Sequence, residues 1–132
     1  MKILAVDPGN TTGFCAFLSP KEFTTFYVEE DLIQIHNEIK ERKPDIVIFE
    51  RFVLYPALAK HLGWDEMYTS QVIGVIRFTC EYLGIPYESQ FASAKDYSRY
   101  PENYPFKTDH ERDAYGHAWH FYIKQKVKKE VR

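Results

Sequence analysis

Two short, unbroken apolar runs, each followed directly by an acid, constrain the fold of this sequence most. Ile3–Val6 precedes Asp7, and Ile46–Phe49 precedes Glu50. A short apolar run bounded by turn residues is typical of a buried strand. In an open α/β sheet, functional groups gather beyond the carboxyl ends of the strands. We therefore expect Asp7 and Glu50 to stand side by side at one edge of a sheet.

The first thirty residues predict an antiparallel meander. Strands are expected at Lys2–Asp7, Thr11–Phe17 and Phe23–Val28, where apolar, β-branched and aromatic residues dominate. Pro8-Gly9-Asn10 and Ser19-Pro20-Lys21 have the composition of the turns between them. Because its apolar run is unbroken, the first strand is expected toward the centre of the sheet.

Helices and strands alternate in the rest of the chain. The predicted elements are an amphipathic helix at Asp31–Arg42, a strand at Ile46–Phe49, a helix at Met67–Leu83, a strand at Tyr87–Phe91 and a brief helix at Ala92–Tyr100. A helix before the strand at Ile46 favours a right-handed crossover, which makes that strand parallel to the first. The predicted fold class is α/β, a five-stranded mixed sheet with three antiparallel strands and then two parallel ones, flanked by helices in a single domain over residues 1–132.

The last helix contributes two more candidate ligands. Thr108 and Glu111 fit a capping box, which predicts a helix from there to about Val127. His110 and Asp113 are three residues apart, so they would share one face of that helix. Together with the two strand-end acids, they would give four ligands from three segments. Hard divalent cations prefer oxygen-rich sets of this kind.

Such a cluster suits phosphodiester hydrolysis. Two divalent ions about 3.5–4 Å apart can activate a water and stabilise the leaving oxygen. Carboxylates held close together repel one another unless a cation lies between them. We expect Asp7 to bridge the ions, with Glu50 and Asp113 beside it. His110 would ligate one ion or act as a general base on the water.

These residues give the sequence a resemblance to the RuvC-type Holliday junction resolvases of the RNase H-like superfamily, in particular the compact phage-type members. The similar segments are Ile3–Gly9 with Thr12 and Gly13, Ile48–Glu50, Ser70–Gly74 and His110–Ala114. The resemblance implies an RNase H-like nuclease domain that resolves four-way or other branched DNA by Mg²⁺-dependent hydrolysis, with Mn²⁺ able to substitute. It also implies a homodimer, whose interface we expect on the Met67–Leu83 helix and in residues 51–66.

Residues expected to contact DNA lie mainly beyond the second acid. They are Arg51, Phe52, Tyr55, Lys60, Lys95 and Lys107. Basic and aromatic side chains together suit a groove for the nucleic-acid backbone with stacking surfaces, although ordinary loop composition explains them about as well. Lys95 could reach a phosphate or the attacking water, or it could be a solvated lysine. The family places an aromatic wedge just after the second acid, whereas this sequence has Val53 three residues beyond Glu50, with Phe52 and Tyr55 on either side.

Composition and charge set weaker limits. The formal net charge is −2, so the chain lacks the basic balance of many DNA-binding domains, although local patches can still steer DNA. Cys15 and Cys80 form no CxxC motif and fit buried, reduced thiols. The sequence shows neither a secretory signal nor a run of membrane-spanning length. We therefore expect a cytoplasmic protein, in a bacterial or phage-infected cell, without a membrane partner.

Three alternatives stay open. Asp7–Gly13 also resembles the first phosphate loop of actin-like ATPases and small-molecule kinases, in which Gly and Thr would hold nucleotide phosphates. That fold needs a second glycine-rich loop, which this sequence does not offer. A non-catalytic junction-binding protein is the second alternative. The third is a zinc site formed by His110, Asp113 and His117, which lacks an evident fourth ligand; we expect His117 and His120 to be helix-packing residues instead.

Overall fold

The computed structural model describes residues 1–52 and 63–131, in which a five-stranded sheet lies between helices. The strands are β1 (Ile3–Asp7), β2 (Thr11–Ser19), β3 (Glu22–Glu29), β4 (Ile46–Glu50) and β5 (Tyr87–Gln90). The α-helices are α1 (Leu32–Arg42), α2 (Trp64–Leu83) and α3 (Asp109–Val131), and a 3₁₀ helix (Ala92–Tyr97) precedes α3. In these residues no helix is both long and apolar enough to cross a membrane.

The strand order β3-β2-β1-β4-β5 puts β1 at the centre of the sheet. β1 is antiparallel to β2 and parallel to β4. β2 and β3 are antiparallel, and β4 and β5 are parallel. The predicted fold class, three antiparallel strands and then two parallel ones flanked by helices, is therefore confirmed.

Several predicted boundaries were wrong by a few residues. Helix α2 begins at Trp64 rather than Met67, because the Glu66 side chain accepts a hydrogen bond from the Gly63 backbone nitrogen at 3.0 Å and caps the earlier turn. Helix α3 continues to Val131, well past the predicted end. β5 stops at Gln90, and the brief helix after it is a six-residue 3₁₀ helix.

The sheet separates two apolar cores, and the alternation of side chains along a strand decides which core each residue joins. The residues of β1 and β4 that belong to the core beneath α3 are Ile3, Ala5, Ile46 and Ile48. Asp7 and Glu50 are next in these two alternating rows. Both acids therefore extend the rows that face α3, while the intervening residues pack toward α1 and α2.

Gly13 in β2 lets α3 lie close to the sheet. A Cβ atom at this position would overlap the backbone carbonyl of His110 and lie 2.5 Å from the backbone nitrogen of Glu111. The missing side chain therefore allows the first turn of α3 to rest directly on β2. This close contact brings the ligand candidates of α3 to the end of β1.

The two cysteines belong to different cores. Cys15 lies in the core beneath α3, and Cys80 lies in the core beneath α1 and α2. Both are buried free thiols, as expected from the sequence. Burial raises the pKa of both thiols, that of Cys80 to about 12, so neither is a reactive thiolate at neutral pH.

Candidate active site

The four predicted catalytic and metal-binding residues come together where β1 and β4 end under the first turns of α3. Asp7 is only 4% exposed, and its Oδ2 lies 2.8 Å from Nδ1 of His110. The Glu50 carboxylate is close enough for its charge to act on Asp7. Asp113 joins the group through a shared lysine. The roles predicted for these residues stay predictions, but their convergence is a feature of the structure.

Lys95 lies between two of the acids. Its Nζ donates to Glu50 Oε1 at 2.8 Å and to Asp113 Oδ2 at 3.1 Å. The side chain is only 21% exposed. Lys95 is therefore not the solvated lysine that the sequence left open, because two carboxylates compete for its ammonium group.

His117 lies beneath the acids and is fully buried. Its Nε2 lies 3.1 Å from Glu50 Oε1, and its Nδ1 lies 2.7 Å from Gln90 Oε1. The expectation that His117 only packs the helix was incomplete, because the ring joins Glu50 to β5. The available signal was its spacing, since His117 follows Asp113 by one turn on the same helical face. These contacts hold His117 against Glu50, and they do not place it in the zinc site considered from the sequence.

The pKa of Asp7 is raised from 3.8 to about 6. Burial is the main cause, since it penalises the charged form, and the nearby Glu50 carboxylate adds to it. The hydrogen bond with His110 opposes both effects. The same bond is the main reason why the pKa of His110 is raised. The negative charge of Asp7 is thus unfavourable in this site, and a bound cation would stabilise it.

The pKa of Glu50 is shifted in the opposite direction, downward. Burial alone would raise its pKa, but hydrogen bonds with His117 and Lys95 outweigh burial and lower the pKa to about 2. Burial likewise disfavours charge on Lys95, yet the contacts with Glu50 and Asp113 raise its pKa overall. Glu50 is therefore ionised and Lys95 charged at neutral pH, and they form a partly buried ion pair.

The donor set suits a hard divalent cation. Three carboxylates and one imidazole converge, and an ammonium group already lies between two of those carboxylates, so the site attracts positive charge. In the described part of the chain, no three His, Cys, Asp or Glu side chains stand in the arrangement of a finished metal site. The ligand candidates would need side-chain adjustment to surround an ion.

Comparisons with known proteins give one result at the level of structure. No family model and no curated protein matches this chain. The structure of Thermus thermophilus RuvC in complex with a Holliday junction substrate matches with a TM-score of 0.73 at 14% identity, covering 96% of both chains. A second structure of Thermus thermophilus RuvC gives a TM-score of 0.65 at 13% identity, covering 96% of this chain and 97% of the other. The chain has the RuvC fold.

The RuvC fold confirms the resemblance predicted from the sequence at the level of architecture. Identities of 13–14% are too low to carry residue roles from RuvC to this chain, so those roles depend on the geometry described above. A third match, Fowlpox virus resolvase with substrate Holliday junction DNA, has a TM-score of 0.45 at 14% identity and adds nothing to this assignment.

The predicted DNA-contacting residues differ in their exposure and in their contacts near this site. Arg51 directly follows Glu50, is exposed, and places its guanidinium 4.4 Å from the centre of the exposed Phe91 ring. Phe52 is half-buried, and Lys107 is exposed just before α3. Lys95 points its ammonium at carboxylates instead. Tyr55 and Lys60 lie outside the described residues, as does Val53.

The turn after β1 does not present Thr12 as a phosphate ligand. The buried hydroxyl of Thr12 donates to the Gly9 carbonyl at 2.9 Å and accepts from the Gly9 nitrogen at 3.4 Å. These bonds close the turn on itself. The geometry therefore gives no support to the nucleotide-binding alternative at this loop.

Proposed function

We propose that this protein is a metal-dependent endonuclease that resolves four-way or other branched DNA junctions by phosphodiester hydrolysis. The observation that carries the proposal is the convergence of Asp7, Glu50 and Asp113 with His110 at the strand ends of a RuvC fold. Thermus thermophilus RuvC has been solved with a Holliday junction substrate. That complex supports branched DNA as the substrate class.

The four residues would hold Mg²⁺, with Mn²⁺ as a substitute. Bound divalent ions supply an activated water and neutralise charge on the leaving oxygen. His110 uses Nδ1 to contact Asp7, which leaves Nε2 as the nitrogen that can ligate or take a proton from the attacking water. His117 and Lys95 fix one oxygen of Glu50, so this carboxylate is oriented before any ligand arrives.

Exposed cationic and aromatic groups near the acids would bind the DNA backbone and stack on bases. Arg51 with Phe91, and Lys107 at the start of α3, are the described candidates. Tyr55 and Lys60 remain candidates from the sequence. Because these contacts release counterions from DNA, binding should weaken as salt increases.

We also propose that the active form is a homodimer, because two related sites could then address a junction with two-fold symmetry. On α2, Phe78 is 64% exposed and Tyr82 is 75% exposed, and their rings stack 5.9 Å apart. Ile33 of α1 is 73% exposed, which adds apolar surface on the same pair of helices. Light scattering should give the mass of two chains, and the mass of one chain at micromolar concentration would contradict the dimer.

A substrate panel tests the proposed activity. Labelled four-way junction, flap and plain duplex of equal length are incubated with Mg²⁺, with Mn²⁺ or with EDTA. We expect paired, symmetric nicks in the junction, no cleavage of the duplex, and no cleavage in EDTA. Junction binding without cleavage in either metal would favour the non-catalytic alternative. Equal cleavage of all three substrates would leave a nuclease but refute junction selectivity.

A further inference from the structure

We propose that Lys95 is a built-in cation that holds Glu50 and Asp113 together until a divalent ion displaces it. The inference rests on the proposed metal site and adds a competitor that belongs to the chain itself. The ammonium lies within 3.1 Å of both carboxylates, and these are two of the residues that would have to hold the metal.

The acids need such a charge when no metal is bound. Glu50 lies near Asp7, and Lys95 links it to Asp113, so three carboxylates share a partly buried region. Like charges held close together are destabilising in a medium of reduced dielectric constant. One ammonium between two of them removes much of that repulsion. Lys95 thereby allows the carboxylates to stay assembled in the metal-free protein.

An ion held by both Glu50 and Asp113 would occupy the space that the Lys95 ammonium now fills. Glu50 Oε1 already accepts from both Lys95 and His117, so a metal that binds this oxygen would have to replace at least one of these donors. His117 is fully buried and fixed at its other nitrogen by Gln90. Lys95 is the donor with an exposed fraction and a flexible four-carbon stem. Displacement should therefore fall on Lys95.

The backbone at Lys95 is anchored while its side chain can move. The Tyr100 hydroxyl donates to the Lys95 carbonyl at 3.2 Å, and the Ser98 hydroxyl donates to the Gly116 carbonyl of α3 at 2.7 Å. A Cβ on Gly116 would lie 2.8 Å from Lys95 Cβ and overlap the Tyr100 hydroxyl. The 3₁₀ helix therefore packs directly on α3, so displacement would move the Lys95 side chain rather than its backbone.

Lys95→Met tests this competition, because methionine keeps most of the stem and removes the charge. Without a competing ammonium, the variant should bind Mn²⁺ about tenfold more tightly than the parent protein, the effect expected for losing a partly exposed ion-pair network. In EDTA its Tm should be lower by roughly 3–6 °C, because the carboxylates lose their counter-charge. Lys40→Met, on the exposed face of α1, is the matched control and should change neither quantity.

Calorimetric titration with MnCl₂ and thermal melts in EDTA give the two readouts without relying on cleavage. Tighter Mn²⁺ binding together with a lower metal-free Tm supports the proposal. Unchanged or weaker Mn²⁺ binding by Lys95→Met, with the parent protein binding normally, overturns it. If the parent protein binds no Mn²⁺ at all, the metal site itself fails and the competition fails with it. An unchanged Tm in EDTA refutes the holding role whatever the metal titration shows.

Discussion

Replacing Asp7 by asparagine should abolish junction cleavage while leaving junction binding intact. Asp7 is the most deeply buried acid of the site and is the ligand expected to lie between two ions. Asparagine keeps the shape but removes the negative charge that a cation requires. We expect a loss of about a thousandfold or more in the cleavage rate, the scale seen when a central catalytic group is removed. Junction affinity should change by less than about threefold, because DNA binding depends on other surface groups.

Single-turnover cleavage and gel-shift measurements in Ca²⁺ separate these two effects. The matched control is Asp45→Asn, which alters an exposed acid at the opposite end of β4 whose side chain accepts a hydrogen bond from the Lys2 backbone nitrogen. This control should cleave normally. Loss of cleavage and of binding together in Asp7→Asn, with the fold preserved, would argue that Asp7 contributes to assembly of the DNA surface rather than to chemistry.

The stability of Asp7→Asn should confirm that its inactivity is not unfolding. The folded protein raises the pKa of Asp7 from 3.8 to about 6, so the carboxyl stabilises the fold below its unfolded pKa, and that contribution is lost as pH rises through 6. At pH 8 in EDTA, the asparagine variant should therefore be more stable, by on the order of 1–3 kcal/mol. The advantage should shrink toward pH 5, where the parent carboxyl is protonated.

Gly13→Ala should cost the fold about 3 kcal/mol or more, the upper range for forcing atoms into a packed interface. The added methyl group would overlap backbone atoms of His110, which cannot rotate away as a side chain could. Helix α3 would have to lift from β2, and His110 and Asp113 would move with it. We therefore expect weaker Mn²⁺ binding and slower cleavage as well as a lower free energy of unfolding.

Urea unfolding measures this loss of stability. The control is Gly74→Ala, which is expected to change the free energy of unfolding in the opposite direction. A Cβ on Gly74, which is in α2, meets no atom within 4 Å. Alanine there should stabilise the fold by up to about 1 kcal/mol through helix propensity. A stable, fully active Gly13→Ala variant would show that α3 does not depend on its close contact with β2.

The strand-end acids were predictable because their surroundings are local. Unbroken apolar runs mark buried strands, and one residue beyond each run stands an acid. The parity of each run would have predicted the side of the sheet as well, since Asp7 continues the row of Ile3 and Ala5. The capping signal at Thr108 was also sufficient, and its hydroxyl accepts from the Glu111 nitrogen at 3.1 Å.

The partners of Glu50 were not predictable in the same way. Lys95 follows a different strand, and His117 lies two turns inside α3, so their meeting depends on how the 3₁₀ helix seats against Gly116. That seat is a tertiary fit between segments separated by twenty residues. Composition and periodicity describe each segment alone, and they do not predict how two such segments pack against each other.

The alternation along β1 and β4 has a consequence for how this chain can diverge. Inserting or deleting one residue inside either strand would turn its terminal acid to the opposite side of the sheet, away from α3. Changes of length are tolerated far better in surface connections, where a loop absorbs them. Descendants of this sequence should therefore vary in their loops and helix ends while keeping the number of residues between the start of each strand and its acid fixed.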